Sequence, residues 1–133
     1  VKAVDARIYD LANAILAQQN RSAMTILQEL LYLRYQPTVI LAALSGAYMD
    51  LYIAKSALAA GKGQAEIAKN FEYRGRDFVI RNSLRDCRKY SPESLRRSIA
   101  YLAHTDRRMK SSRADNNILL EQAVTELFLI ARE

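Results

Sequence analysis

Residues 37–60 read PTVILAALSGAYMDLYIAKSALAA, and this stretch decides the fold class. Pro37 suits a first helical turn, where its missing N–H would have no partner in any case. Gly61 is the usual kind of residue just past a helix end. Between them Ile40, Leu44, Ala47, Leu51, Ala54 and Leu58 recur at spacings of 3 and 4, one stripe of a 3.6-residue period. Met49, Ile53 and Ala57 form a second apolar side, so that only Ser45, Tyr52 and Ser56 make a narrow polar edge. A helix apolar almost all round belongs inside a bundle, and about 24 residues make it roughly 36 Å long. Asp50, Lys55 and the small residues Ala42, Ala43 and Gly46 argue against a bilayer span, because a mid-helix charge in lipid is costly.

Shorter amphipathic segments flank this helix. Asp5 to Gln18 places Ile8, Leu11, Ala12, Ile15 and Leu16 on one face, with Asp5 suited to the positive end of the helix dipole. Ser22 to Leu33 offers Ala23, Ile26, Leu27, Leu30 and Leu31, with Asn20 or Ser22 as the expected cap. After Gly61-Lys62-Gly63 come a short helix from Gln64 to Asn70, a turn at 71–75, and a helix from Arg76 to Tyr90 that buries Val79, Ile80, Leu84 and Cys87. Ser91-Pro92-Glu93 has the chemistry of a helix start. The helix it opens carries Leu95, Ile99, Leu102 and Met109, with Asp106 in the same seam, where it needs a basic partner or the seam's wet end. Asp115 caps a last helix from Asn116 to Ala131, with Leu120, Ala123, Val124, Leu127, Phe128 and Ala131 on one face. The expectation is an all-α single domain over 1–133, a bundle of six or seven helices around the helix at about 37–60.

With 133 residues and half of them apolar, the chain can bury a real core and is not disordered. A lone cysteine excludes an internal disulfide and fits a reducing cytoplasm. No signal peptide is evident, and Val1 in place of a methionine suggests a domain excised from a longer chain. Charge is uneven: residues 74–113 hold 12 Lys and Arg against four Asp and Glu, so the formal +6 resides in this one stretch. Such a stretch is either a solvated helical face or a surface for nucleic acid or an acidic partner.

Signs of catalysis are missing from the pattern. His104, the single histidine, lies near a helix end with no orienting partner in view. Cys87 falls on an apolar face, where a thiol is inert packing. One His and one Cys cannot make a zinc site of the usual kind. Gly61-Lys62-Gly63 is not a phosphate loop: Ser56 stands where a glycine is needed, Gly63 where a Ser or Thr is needed, and a helix precedes it rather than a strand. Neither a catalytic residue, a cofactor, a metal nor a small-molecule substrate is assigned. Residues 64–90 also have the outline of a helix-turn-helix, with Arg76, Arg81, Asn82 and Arg85 as readers of base edges. Its turn is longer than the usual 3–4 residues and lacks a clear apolar anchor.

Several stretches, in order, carry a resemblance. They are Ala14-Ile15-Leu16, residues 23–31, Pro37 with its long helix, residues 62–69, Phe78-Val79-Ile80-Arg81, residues 90–95, residues 106–112, Leu120-Glu121 and Leu127. Together they resemble the C-terminal helical domain of the delta subunit of the bacterial DNA polymerase III clamp loader, over about Asp5 to Ala131. The family often has a proline before the Phe-x-Val run and a glycine where this chain has Ser112. The resemblance implies a collar domain that joins clamp-loader subunits into a ring-like pentamer, with the clamp-opening, ATPase-like modules elsewhere in the subunit. It implies a non-catalytic cytoplasmic role in DNA replication, with the other clamp-loader subunits as partners and DNA touched only weakly or indirectly. The alternative is a DNA-binding regulator using residues 64–90. Because aromatic residues and arginine favour interface cores, Tyr32, Tyr35, Tyr101 and Phe128 are the expected partner contacts. Arg76, Arg81, Arg85, Arg88 and Lys89 are the expected contacts to nucleic acid or an acidic partner.

Overall fold

The computed structural model describes the backbone of residues 2–133 and the side chains of residues 6–133. Among the described residues the chain forms seven α-helices and no strand: α1 Lys2–Leu16, α2 Asn20–Tyr32, α3 Pro37–Ala59, α4 Gln64–Asn70, α5 Asp77–Asp86, α6 Pro92–Ser111 and α7 Asn116–Ala131. A single 3₁₀ turn, Cys87–Lys89, joins α5 to α6. The expected helix from Arg76 to Tyr90 therefore splits into an α part and a tighter last turn. The contact expected of the Asp5 side chain lies outside the described residues.

Helix ends follow local chemistry where the sequence offers it. Ser91 Oγ accepts from the Ser94 N–H at 3.0 Å with Pro92 at the first position, and Asp115 Oδ1 accepts from the Asn117 N–H at 2.8 Å. Glu66 accepts from the Gly63 N–H at 2.9 Å. The expected side-chain cap on α2 does not form: its N-cap is Gln19, with no side-chain hydrogen bond. Three helices end in the same left-handed closure. Gln18, Arg34 and Gly61 take φ of 60°, 67° and 73°. Each closure makes the paired N–H to carbonyl bonds of a Schellman motif, such as Lys62 to Ala57 at 2.8 Å and Gly61 to Leu58 at 3.0 Å. Only the third was marked by a glycine.

α3 is the hub, packing on α1, α4, α5, α6 and α7, with its most extensive contact against α6. Ile40, Leu41, Leu44, Tyr48, Leu51 and Ala54 are its buried face. Leu41 and Tyr48 thus join the expected stripe, whereas Ala47 and Leu58 are only half-buried. The expected burial all round is corrected on the opposite side, where Val39 and Met49 are 53% and 44% exposed and Ala42 and Gly46 are open to solvent. α3 is long and apolar enough to cross a membrane by length and composition, but in this fold it is the surface on which five other helices pack. A second, smaller apolar cluster of Ile67, Tyr73, Val79 and Ile80 seats α4 and α5 against Ile53 and Ala57.

The α6 seam differs from the expected one. Leu95, Ser98, Leu102, Thr105 and Met109 are buried, so small polar residues take places expected for Ile99 and Asp106. Thr105 satisfies its hydroxyl by donating to the Tyr101 carbonyl at 3.0 Å. Asp106 turns to the wet side and accepts from Lys110 at 2.9 Å. Tyr90, also buried, closes the bundle by donating its hydroxyl to the Leu16 carbonyl at the end of α1, 2.9 Å away. Its ring meets fully buried Tyr48 edge-on at 6.3 Å. Tyr90→Phe is expected to cost about 1–3 kcal/mol, because it strands a buried carbonyl at a helix end; urea unfolding should show a lower midpoint with an unchanged slope.

Candidate partner-binding surfaces

The basic residues expected to act together are split by their surroundings. Arg85 is held by its neighbour Asp86, with Nε and Nη2 donating at 2.9 and 3.1 Å. The Arg76 guanidinium lies 5.5 Å over the Tyr73 ring and 3.9 Å from Asp50 Oδ2. Asn82 is half-buried and faces the groove described below. Arg81, Arg88 and Lys89 are exposed and make no ion pair among the described residues. The outlined helix-turn-helix therefore presents Arg81, with its other expected readers committed elsewhere. Its turn does have an apolar anchor, contrary to expectation: Tyr73 is buried in the second cluster. Tyrosine was overlooked there because its ring and its hydroxyl serve different partners.

That hydroxyl donates to Asp50 Oδ1 at 2.6 Å. Asp50, projecting from the middle of α3, is thereby tied to the α4–α5 connection by Tyr73 and Arg76 together. Burial pushes the Asp50 carboxyl above its ordinary value, and the Tyr73 hydrogen bond and the Arg76 charge only partly offset it. Burial, and then the hydrogen bond to Asp50, push the Tyr73 hydroxyl up. Cys87 is fully buried, its thiol also pushed up by burial, so it is a packing residue and not a ready nucleophile. His104 is exposed, its ring 6.3 Å from that of Tyr101.

The four expected aromatic contacts also separate. Tyr32 is 86% exposed, beside a shallow hollow of Gln28, Glu29, Leu31, Asn117 and Glu121. Tyr35, Tyr101 and Phe128 are half-buried against the main core.

One feature has no counterpart in the sequence reading. α1 and α5 both pack on α3 and leave a groove of about 780 Å³ between them. Ile8, Tyr9 and Ala12 line one wall, Phe78 and Val79 the other, with Val39, Ala43, Gly46, Ala47 and Met49 between them. Tyr9 and Phe78 meet across it with ring centroids 5.9 Å apart.

The family described as DNA polymerase III delta subunit, C-terminal domain, matches residues 5–127. The chain belongs to that family. A DNA polymerase III subunit delta of Bacillus subtilis (strain 168) is 28% identical to it over 126 residues, covering 95% of this chain and 36% of that relative. A solved structure of the Bacillus subtilis DNA clamp loader delta protein matches it with a TM-score of 0.84 and 28% identity, over 95% of this chain and 37% of that one. This delta C-terminal domain thus spans about a third of the length of those relatives.

Within the domain, the raised proton affinity of Asp50 reverses the usual acid behaviour of a carboxylate. The folded state holds this proton more tightly than the unfolded chain. The stability it contributes is therefore complete below the ordinary value of 3.8 and is lost as pH rises through the higher folded value. Asp50→Asn keeps an acceptor for Tyr73 and has no proton to lose. Wild-type stability measured relative to this variant by urea unfolding is expected to fall as pH is raised upward from about 4. A flat difference across that range would remove the assignment.

Proposed function

We propose that this domain is the non-catalytic subunit-assembly, or collar, piece of a bacterial DNA polymerase III clamp loader. On this reading it is the C-terminal oligomerisation domain of a longer cytoplasmic subunit. It supports loading of the sliding clamp by holding its neighbours in register, with the other clamp-loader subunits as partners and DNA touched weakly or indirectly. The observation that carries the proposal is the family match over residues 5–127, almost the whole bundle. The division of the basic residues agrees with it, since Arg76 and Arg85 are engaged by carboxylates of the domain itself. Apolar side chains left in water, Tyr32 and Leu33 at 86% and 57% exposure among them, are material for an interface.

The test uses the full-length subunit that carries the domain, mixed with the other clamp-loader subunits and, separately, with duplex DNA. Co-elution in one complex is expected, together with DNA binding that is weak, sequence-independent and lost steeply with salt. Specific duplex binding at physiological salt without partner subunits would instead make the domain a regulator of the helix-turn-helix type. Tyr32→Ala is expected to change stability by less than about 0.5 kcal/mol while weakening assembly by about tenfold or more, read by thermal melting and a binding titration.

A further inference from the structure

The outward side of α7 has an order of its own. Ile118, Gln122, Thr125 and Leu129 follow one another at spacings of 4, 3 and 4, and all four are exposed, while the other side of α7 is buried against α6 and α3. Ile118 and Leu129, at the two ends of this row, are 52% and 49% exposed. Glu121 and Glu126 flank the row, one on each side. Glu121 borders both the hollow beside Tyr32 and a second one formed by Tyr101, Ile118, Gln122, Thr125 and Glu126, so the two hollows are parts of one face. The charged residues of this face are all acidic: Glu29, Glu121 and Glu126 line it, and no Lys or Arg does. α7 itself holds no base in its 16 residues, in a chain with 20 Lys and Arg. Arg7 offsets Glu29 from α1. Glu121 accepts from Gln28 Nε2 at 2.6 Å, a neutral donor that leaves its charge in place. No ion pair engages Glu126 among the described residues.

We propose that α7 pairs along this row, in the manner of a short coiled coil, with a helix of another clamp-loader subunit that carries Lys or Arg on both flanks of its own apolar row. The proposal rests on the collar reading and names the partner of the face that includes Tyr32. Alternating spacings of 4 and 3 are those of the seam positions of a heptad. Glu121 and Glu126, five residues apart, then take the two flanking positions, whose charges set partner choice. The α7 backbone is already paired within the helix, so a partner gains side-chain packing and ion pairs only. Gln122 and Thr125 at the centre of the seam weaken it but fix its register, which suits a contact that is one of several in an assembly.

The same charges disfavour the other occupants. A second copy paired on this row would set glutamate against glutamate, whichever way the two helices run. Nucleic acid would bring phosphates onto three carboxylates, with no base in the face to meet them.

The experiment places a photo-crosslinking amino acid at Gln122 in the full-length subunit, assembled with the other clamp-loader subunits and primed DNA. The expected product joins position 122 to a helical segment of another subunit with Lys or Arg flanking an apolar row. Two variants accompany it, each with an unchanged melting temperature expected of a surface substitution. Ile118→Ala should weaken assembly about tenfold. Glu126→Lys should weaken it by a factor that shrinks as salt is raised, and changing the crosslinked basic residue of the partner to Glu should restore it. A crosslink to DNA, to a second copy, to the subunit's own chain or to a segment without bases overturns the proposal. So does assembly of both variants within about twofold of wild type. If the unsubstituted subunit does not assemble at all, the collar reading fails and this proposal fails with it. If it assembles and the variants match it, this proposal fails alone.

Discussion

The packing of α3 against its neighbours is the constraint on which the rest of the domain depends. Six side chains on one face of this helix, from Ile40 to Ala54, enter the main core, and every helix except α2 packs on it substantially. The closest partnership, with α6, is made by a seam that alternates Leu95, Leu102 and Met109 with Ser98 and Thr105. Small residues at alternate positions let the two axes approach, and Thr105 returns its hydroxyl to its own helix. Burying the Thr105 hydroxyl is tolerable because it is satisfied locally. α7 then packs on both α6 and α3, and Tyr90 reaches from beside Tyr48 to the end of α1.

α4 and α5 depend on α3 differently. They rest on a small apolar cluster and on the contact of Tyr73 and Arg76 with Asp50. A carboxylate in the middle of an apolar helix looks like a liability in isolation. Here it is a docking point, since the hydroxyl and guanidinium that pair with it arrive from the turn between α4 and α5. Its cost appears as a raised proton affinity. The attachment commits Arg76, and Asp86 separately holds its neighbour Arg85, so the basic stretch offers a partner less than its count of charges suggests.

The candidate surfaces were only partly legible in sequence. Charge asymmetry was visible by counting, but counting cannot show that Arg85 lies against Asp86, the residue next to it, while Arg81 faces water. Tyr32, Tyr35, Tyr101 and Phe128 look equivalent in a list of aromatic residues. They differ because Tyr32 ends its helix facing solvent, whereas the other three pack on the core edge. The groove was hidden because Ile8, Val39, Gly46 and Phe78 belong to three helices, and each is unremarkable within its own period.

What the sequence alone determined is local. Helical periodicity specifies elements, Pro37, Ser91 and Asp115 specify where three of them begin, and Gly61 where one ends, because these effects act within a turn or two of the residue concerned. The ordered set of stretches from Ala14 to Leu127 was also enough to suggest the family to which the chain belongs. The tertiary structure decided which face of α3 is buried, which residues form the α6 seam and which arginines are engaged. Those outcomes depend on distances between groups far apart in the chain, such as Tyr73 and Asp50 or Tyr90 and Leu16. A helix apolar on every side carries no internal signal of which side its neighbours will leave uncovered, and on α3 that uncovered side became the floor of the groove.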